Sequence, residues 1–313
     1  MKFINILKNI IKKEDSRMKF EFIANEWLEY KRNSIKKSTY GNYLYIIEKY
    51  LNTKFGEKNV EKIINYNDFV QELSNRLSPK TIRDITNVLK AILAYYEEEY
   101  GVKLNKKKIR LPKQEKKKLQ ILTSREKQKL ENYCIKEDTL KNLGILICLN
   151  TGMRIGEICA LKWENIDLEE KNIYIKHTLQ RVYNKKNGKT KVIIDTPKSA
   201  CSVRSIPINK KIYEILKPLK RKYTKKTFLL TGLEEKYIEP RSYQNTFKEI
   251  LKDCKIKKYK FHTLRHTFST NCIEIGMDIK TLSEILGHAS VEITLNKYVH
   301  SSQKLMKKYL EKL

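Results

Sequence analysis

Residues 172–207 read NIYIKHTLQRVYNKKNGKTKVIIDTPKSACSVRSIP, and in this stretch the apolar period of the chain changes. Ile173 and Ile175, then Val192 and Ile194, then Val203 and Ile206, are spaced for strands half-buried on one face. Asn187-Gly188 supplies a turn whose residues accept positive φ. Elsewhere apolar residues recur at intervals of three and four, the period of amphipathic helices. The chain is therefore expected to be mainly α, with a small antiparallel β-sheet set inside its second half.

On the N-terminal side of this stretch the pattern is helical from Phe20 to Gly101, with apolar positions such as Phe22, Trp27 and Leu28, then Tyr43, Ile46, Ile47 and Leu51. Ser78-Pro79 joins a capping hydroxyl to a proline at the first helical position, and the helix it opens runs through Ile82, Ile85, Val88, Leu89 and Ile92. Between Lys106 and Lys118 lie eight basic residues, one acid (Glu115) and Pro112, a composition that cannot bury a core and reads as an extended linker. Thr123 and Glu126 then form a capping box ahead of a helix, and a second helix through Leu143, Ile145 and Ile147 ends near Gly152. After the sheet, helices are expected from Pro240 to Cys254, His262 to Ile275, Ile279 to Leu286, Val291 to Tyr298, and Ser302 to Leu313. The organisation that follows is a tail with a short amphipathic helix (1–18), an all-helical domain (19–105), a basic linker (106–119) and an α+β domain (120–313) ending in the helix 302–313.

Composition narrows the classes of function. The 313 residues carry 66 Lys and Arg against 36 Asp and Glu, a formal charge of +30 that favours a polyanionic partner: DNA, RNA or an anionic membrane surface. Lysine-rich genome composition would give a similar figure. No apolar run approaches the roughly 20 residues that span a bilayer, and the N-terminal Phe3, Ile4, Ile6, Leu7, Ile10 and Ile11 alternate with lysines rather than forming a signal peptide. The six cysteines (Cys134, Cys148, Cys159, Cys201, Cys254 and Cys272) form no C-x-x-C pair. Free thiols in a reducing cytoplasm fit that scatter better than zinc or disulfides do.

Chemistry concentrates in Phe261-His262-Thr263-Leu264-Arg265-His266, where helical spacing lines up His262, Arg265 and His266. Three such groups repel one another unless an anion sits among them. Four of the five histidines (His262, His266, His288 and His300) lie in the last quarter of the chain beside Tyr298. Clustering of a scarce titratable residue points to a site. A metal pair at His262 and His266 is the rival, but the intervening residues lack the glutamate a zinc hydrolase uses as base, and Arg265 would oppose a dication. No Walker lysine loop, acidic metal cluster or dinucleotide glycine motif is present.

With these residues in hand the chain resembles the tyrosine recombinases, the family of phage integrases and Xer-type recombinases. Thr151-Gly152-Met153-Arg154-Ile155-Gly156-Glu157-Ile158 resembles the segment carrying the family's first arginine, and Thr196-Pro197-Lys198-Ser199 before Arg204-Ser205-Ile206-Pro207 resembles its lysine hairpin. His262 and Arg265 match the His-x-x-Arg box, Leu286-Gly287-His288 the Leu-Gly-His box, and Tyr298 follows at the family's interval. Five pieces in order carry far more weight than any one. The helical half resembles the core-binding, SAM-like domain more loosely, through Thr39, Tyr43, Leu51 and the Ser78-Pro79 helix.

The resemblance implies a two-domain DNA clamp that cuts and rejoins DNA through a 3′-phosphotyrosyl link to Tyr298 and a four-way junction. Arg154 and Arg265 would grip the non-bridging oxygens through paired hydrogen bonds, and Lys198 would protonate the leaving 5′-oxygen, with Lys189 and Lys191 on the same hairpin as alternatives. His262 and His288 would complete the cage, Glu157 would position it, and His266 and Arg204 would be structural or DNA contacts. No cofactor is implied, because the phosphotyrosyl bond conserves the energy of the cut phosphodiester. The partners implied are double-stranded DNA with short inverted core sites, three further copies of the chain docked through the apolar stripe Leu305, Met306, Tyr309, Leu310 and Leu313, and accessory DNA-bending or directionality proteins. About twenty residues precede the core-binding region, which favours a simple integrase, invertase or resolvase without an arm-binding domain. Topoisomerase-like relaxation and DNA binding without chemistry are the competing readings.

Overall fold

The computed structural model describes residues 18–63, 65–105, 108–113, 119–184, 188–197, 200–298 and 310–311, with the side chains of 200, 297 and 298 left aside. The expected N-terminal helix, linker positions 106–107 and 114–118, Asn187, Lys198, His300 and all but two residues of the expected helix 302–313 lie outside the described residues. The chain divides into two compact units, residues 1–117 with 181–191, and residues 118–180 with 192–313.

The first unit is built on helices. In α1 (Phe20–Lys31), Phe20, Ile23, Ala24, Trp27 and Leu28 are buried, an apolar stripe of ideal helical spacing. Phe22, expected on that stripe, is instead 43% exposed, because it falls outside this set of three- and four-residue steps. Helix α2 (Lys37–Ile46) continues through a π-helical turn (Ile47–Leu51) into a last turn at Asn52–Phe55. The wider turn puts the consecutive pair Ile46 and Ile47 in the core together with Leu51. Helix α3 (Asn67–Ser74) precedes α4 (Pro79–Tyr100), where the Ser78 hydroxyl accepts from the Thr81 N–H and Gly101 caps the far end at φ 64°. Ile82, Ile85, Val88, Leu89 and Ile92 face inward as the spacing requires. Residues 181–191 group with this unit, and there the Tyr183 hydroxyl donates to Glu48 at 2.8 Å.

The second unit forms around one helix. The Thr123–Glu126 capping box opens α5 (Ser124–Lys136), and α6 (Leu140–Thr151) follows, buried on nearly every side through Leu143, Ile145, Leu146, Ile147, Cys148 and Leu149. A helix apolar all round has to lie at the centre of its domain. Helix α7 (Ile155–Ala160) leads to the strands β1 (Ile166–Asp167), β2 (Asn172–Ile175), β3 (Thr178–Asn184), β4 (Lys189–Asp195) and β5 (Arg204–Pro207). These make two small sheets rather than the single one expected: β1-β2-β5, antiparallel throughout, and a separate β3-β4 pair, of which residues 181–191 group with the first unit. Ile173 stands opposite Ile166 and Ile206, and all three are buried. Val203 lies outside β5 and is exposed, and Ile194 is exposed as well.

Helices α8 (Lys210–Lys220), α9 (Pro240–Asp253), α10 (His262–Glu274), α11 (Ile279–Leu286) and α12 (Val291–Tyr298) complete this unit. Helix α8, capped by the Asn209 side chain on the Ile212 N–H, was not anticipated; it has only Ile212 and Leu216 fully buried. All six cysteines are free, and all but Cys201 are buried. Among the described residues no helix is long and apolar enough to cross a membrane.

One glycine explains part of the Arg-x-Gly-Glu sequence. A side chain at Gly156 would bring its Cβ within 2.6 Å of the Leu179 carbonyl oxygen, a backbone atom of β3 that cannot swing aside. Gly156→Ala is expected to destabilise the second unit by about 1–3 kcal/mol, the usual scale of overpacking, seen as a lower midpoint in thermal unfolding.

Candidate active site

The C-terminal end of α11 organises the site. A helix leaves its last carbonyls without partners inside the helix. Here Gly287, at φ 63°, reverses the chain so that its own N–H donates to Glu284 at 3.0 Å and the His288 N–H donates to Ser283 at 3.1 Å. The next three carbonyls are each taken by a different arginine. Arg204 Nε donates to Ile285 at 2.6 Å, Arg265 Nη2 to Leu286 at 2.8 Å and Arg154 Nη2 to Gly287 at 3.0 Å. The negative end of the helix dipole thus faces three guanidinium groups brought from separate parts of the sequence. A Cβ at Gly287 would also stand 3.0 Å from Arg204 Cδ and from the Cys201 carbonyl oxygen, so the glycine is needed for space as well as for its backbone angle.

Glu157 ties two of these arginines together. It is 3% exposed, receives Arg154 Nη1 at 2.8 Å on one oxygen, and accepts Arg204 on both, at 3.1 and 3.0 Å. The Arg154 N–H, at the start of α7, donates to it as well, at 2.9 Å. Burial pushes this carboxyl up, but Arg204, then Arg154 and their hydrogen bonds outweigh burial and hold it below its ordinary value. The sequence left Arg204 open between a structural role and DNA contact; its side chain is 6% exposed and engaged with Glu157. Arg265 is 1% exposed and also donates to the Gly152 carbonyl at 2.9 Å. Arg154 keeps 34% of its side chain exposed. Three guanidinium groups against one carboxylate leave a net positive charge, which a bound anion would offset.

His288 stands next to this cluster. Its Nε2 lies 2.9 Å from Arg265 Nη2 and its Nδ1 2.8 Å from the Thr294 hydroxyl on α12. A guanidinium has no acceptor, so Nε2 accepts and the ring proton sits on Nδ1, donating to Thr294. His262 opens α10, exposed, with the half-buried His266 ring edge-on at 4.5 Å between centroids. Arg154, His262, Arg265 and His288 all line one cleft of about 480 Å³, together with Glu157, Ser202 and Pro197. His266 is not among the residues lining it. His262 also borders a second cleft of about 500 Å³ with Arg241, Lys248, Lys258 and Lys260, so cationic surface continues away from the first.

Of the six residues expected to carry the chemistry, four therefore meet in one place. Lys198 lies outside the described residues, while Pro197 and Ser202 on either side of it line the cleft. The backbone of Tyr298 closes α12, one turn after Thr294, and its side chain lies outside what the structure describes. Lys189 and Lys191 are exposed on β4, in the part of the chain that groups with the first unit. Two roles were missed: Arg204 as the second partner of Glu157, and Thr294. Their sequence signals were slight, an arginine within Arg-Ser-Ile-Pro and a threonine four residues before Tyr298.

The buried ion pairs set an acid limit on stability. Because the folded-state value of Glu157 lies below its ordinary one, the stabilisation is complete above the ordinary carboxylate range and is lost as pH falls through the lowered value. Glu157→Gln should cost about 3–5 kcal/mol at neutral pH, since it leaves Arg204 buried without its counter-charge. It should also flatten the acid limb of the unfolding profile, followed by circular dichroism against pH.

Comparison with known proteins bears on the family and the fold. The profile of the phage integrase family matches residues 110–304, and that of the phage integrase N-terminal SAM-like domain matches residues 19–74. A XerC-like tyrosine recombinase of Caldanaerobacter subterraneus subsp. tengcongensis is 30% identical, covering 95% of this chain and 83% of that protein. The XerA tyrosine recombinase of Pyrococcus furiosus is 29% identical over 88% of each chain. Among solved structures, the Tn1549 transposon integrase in complex with circular intermediate DNA superposes with a TM-score of 0.76 at 22% identity, covering 94% of this chain and 99% of that one. Lambda integrase bound to DNA gives 0.64 at 16% identity, covering 92% and 99%. With its catalytic-domain profile running over most of the chain and its arginine and histidine motifs folded into one cleft, this chain belongs to the phage integrase family, the tyrosine-type recombinases that break and rejoin DNA.

Proposed function

We propose that this enzyme recombines double-stranded DNA at short, specific inverted sites through a covalent link to Tyr298. The observation that carries the reading is the cleft in which Arg154, Arg265, His262 and His288 converge with a net positive charge. Guanidinium groups remain protonated at any working pH and match the paired oxygens of a phosphodiester. Arg154 and Arg265 grip the scissile phosphate and stabilise the charge that builds on its non-bridging oxygens. A phenol is a poor nucleophile at neutral pH, and the Tyr298 hydroxyl passes its proton to one of the two histidines, His262 or His288, as it reacts as phenolate beside those cations. The phenolate oxygen forms a bond to phosphorus as the bond to the 5′-oxygen breaks, and Lys198 gives that oxygen a proton. The 3′-phosphotyrosyl bond then keeps the phosphodiester energy until a 5′-hydroxyl of the other duplex attacks phosphorus and releases Tyr298.

Residues 19–105 and 120–313 serve in this reading as core-binding and catalytic domains, with 106–119 as a basic strap along the phosphates. Four protomers act together through the apolar stripe of 302–313, and strand exchange passes through a four-way junction. The continuation of Arg241, Lys248, Lys258 and Lys260 beyond His262 supports a DNA path leading out of the cleft.

Wild type and Tyr298→Phe, expressed with host DNA and trapped with denaturant, test the proposal. Wild type should retain DNA at a few short inverted sites and Tyr298→Phe none; equal retention would refute the assignment of the nucleophile. Arg265→Lys should slow covalent capture by roughly 10²- to 10³-fold, the scale of losing one preorganised donor, measured with a duplex recovered in that experiment. Capture should persist in chelator, and its complete loss would contradict a metal-free mechanism.

A further inference from the structure

Thr294 on α12 is completely buried, at 0% exposure, and its hydroxyl lies 2.8 Å from His288 Nδ1. The other ring nitrogen faces Arg265 Nη2 at 2.9 Å, and Arg265 in turn holds the carbonyls of Gly152 and Leu286. Since the guanidinium can only donate, Thr294 must accept the Nδ1 proton. A continuous chain of hydrogen bonds therefore runs from the fixed backbone around Arg265, through the His288 ring, to the helix whose last residue is Tyr298. Thr294 lies one helical turn before that residue. A buried hydroxyl in this place does two things that packing alone does not. It gives the Nδ1 proton left by the Arg265 contact a buried acceptor, so that with Arg265 it favours one tautomer of His288, and it locks the axial position of α12 against the arginine cluster.

We propose that Thr294 is a positioning residue for strand cleavage. Together with Arg265 it holds the His288 ring in the Nδ1–H form, and it fixes the register of the Tyr298 helix against Arg265, without touching DNA itself. The inference rests on the reading of Tyr298 as nucleophile.

The full-length chain carrying Thr294→Val keeps the side-chain shape and loses the hydroxyl, whereas Thr294→Ser keeps the hydroxyl and loses a methyl group. Long-range proton–nitrogen spectra of the histidine rings, with His288 assigned by the signal missing in His288→Asn, report the tautomer without any DNA. Covalent capture of a recovered duplex reports cleavage, and a gel shift reports binding. Wild type and Thr294→Ser should show the Nδ1–H form and capture DNA at similar rates. Thr294→Val should lower the population of that tautomer and capture DNA roughly 10- to 100-fold more slowly, the effect of stranding one partner of a buried hydrogen bond, with binding retained. An unchanged tautomer and rate in Thr294→Val would overturn the proposal, and so would equal losses in both variants, which would mean that the residue only packs. A wild type that forms no covalent complex would overturn the Tyr298 reading instead, and the ring spectra would then decide alone whether Thr294 holds His288.

Discussion

The second unit is arranged around an electrostatic problem at one point, the end of α11, where three backbone carbonyls and three guanidinium groups meet. Bringing guanidinium groups together out of water is costly unless each proton finds an acceptor. The helix end supplies a carbonyl to each of the three, and Glu157 supplies its two oxygens to Arg154 and Arg204. What these acceptors do not cancel is the net charge, and that surplus is what the site offers to a phosphate.

Much of the fold serves to deliver the groups to this point. Arg154 arrives at the start of α7 after the central apolar helix α6, Arg204 on the edge strand β5, and Arg265 one turn into α10. Gly156 lets α7 lie against β3, and Gly287 turns the chain so that its carbonyl is presented and His288 follows. The polar cluster is held by backbone carbonyls more than by other side chains, which makes its geometry depend on where the helices sit. The same dependence reaches α12, because His288 links Arg265 to Thr294.

The helices were largely legible in the sequence because burial imposes a period on them: the Ser78 and Thr123 caps, the α4 stripe and the buried run of α6 all stand where the residues place them. Phe22 misled because any apolar residue near a stripe looks like part of it, and α8 was missed because so little of it is buried. The strands were less legible. On β3 the buried residues are Leu179 and Val182, three apart, so the alternation that betrays a strand is broken there. In the site, Arg154, His262, Arg265 and His288 could be named because their motifs are local in sequence. The tie between Arg204 and Glu157 spans 47 positions, and that between Arg265 and Leu286 spans 21, so each depends on tertiary packing that no local spacing encodes.

The central claim is that the arginines converging on the end of α11 form the seat of a DNA phosphate. The most direct measurement is a structure of the full chain on a duplex recovered by covalent capture, read at the atoms around the cut. The account predicts the reacting phosphate in the cleft with non-bridging oxygens within hydrogen-bonding distance of Arg154 and Arg265, and with Arg204 still on Glu157 and Ile285. A phosphate bound elsewhere, with Arg154 and Arg265 unchanged and turned away from it, would contradict the account.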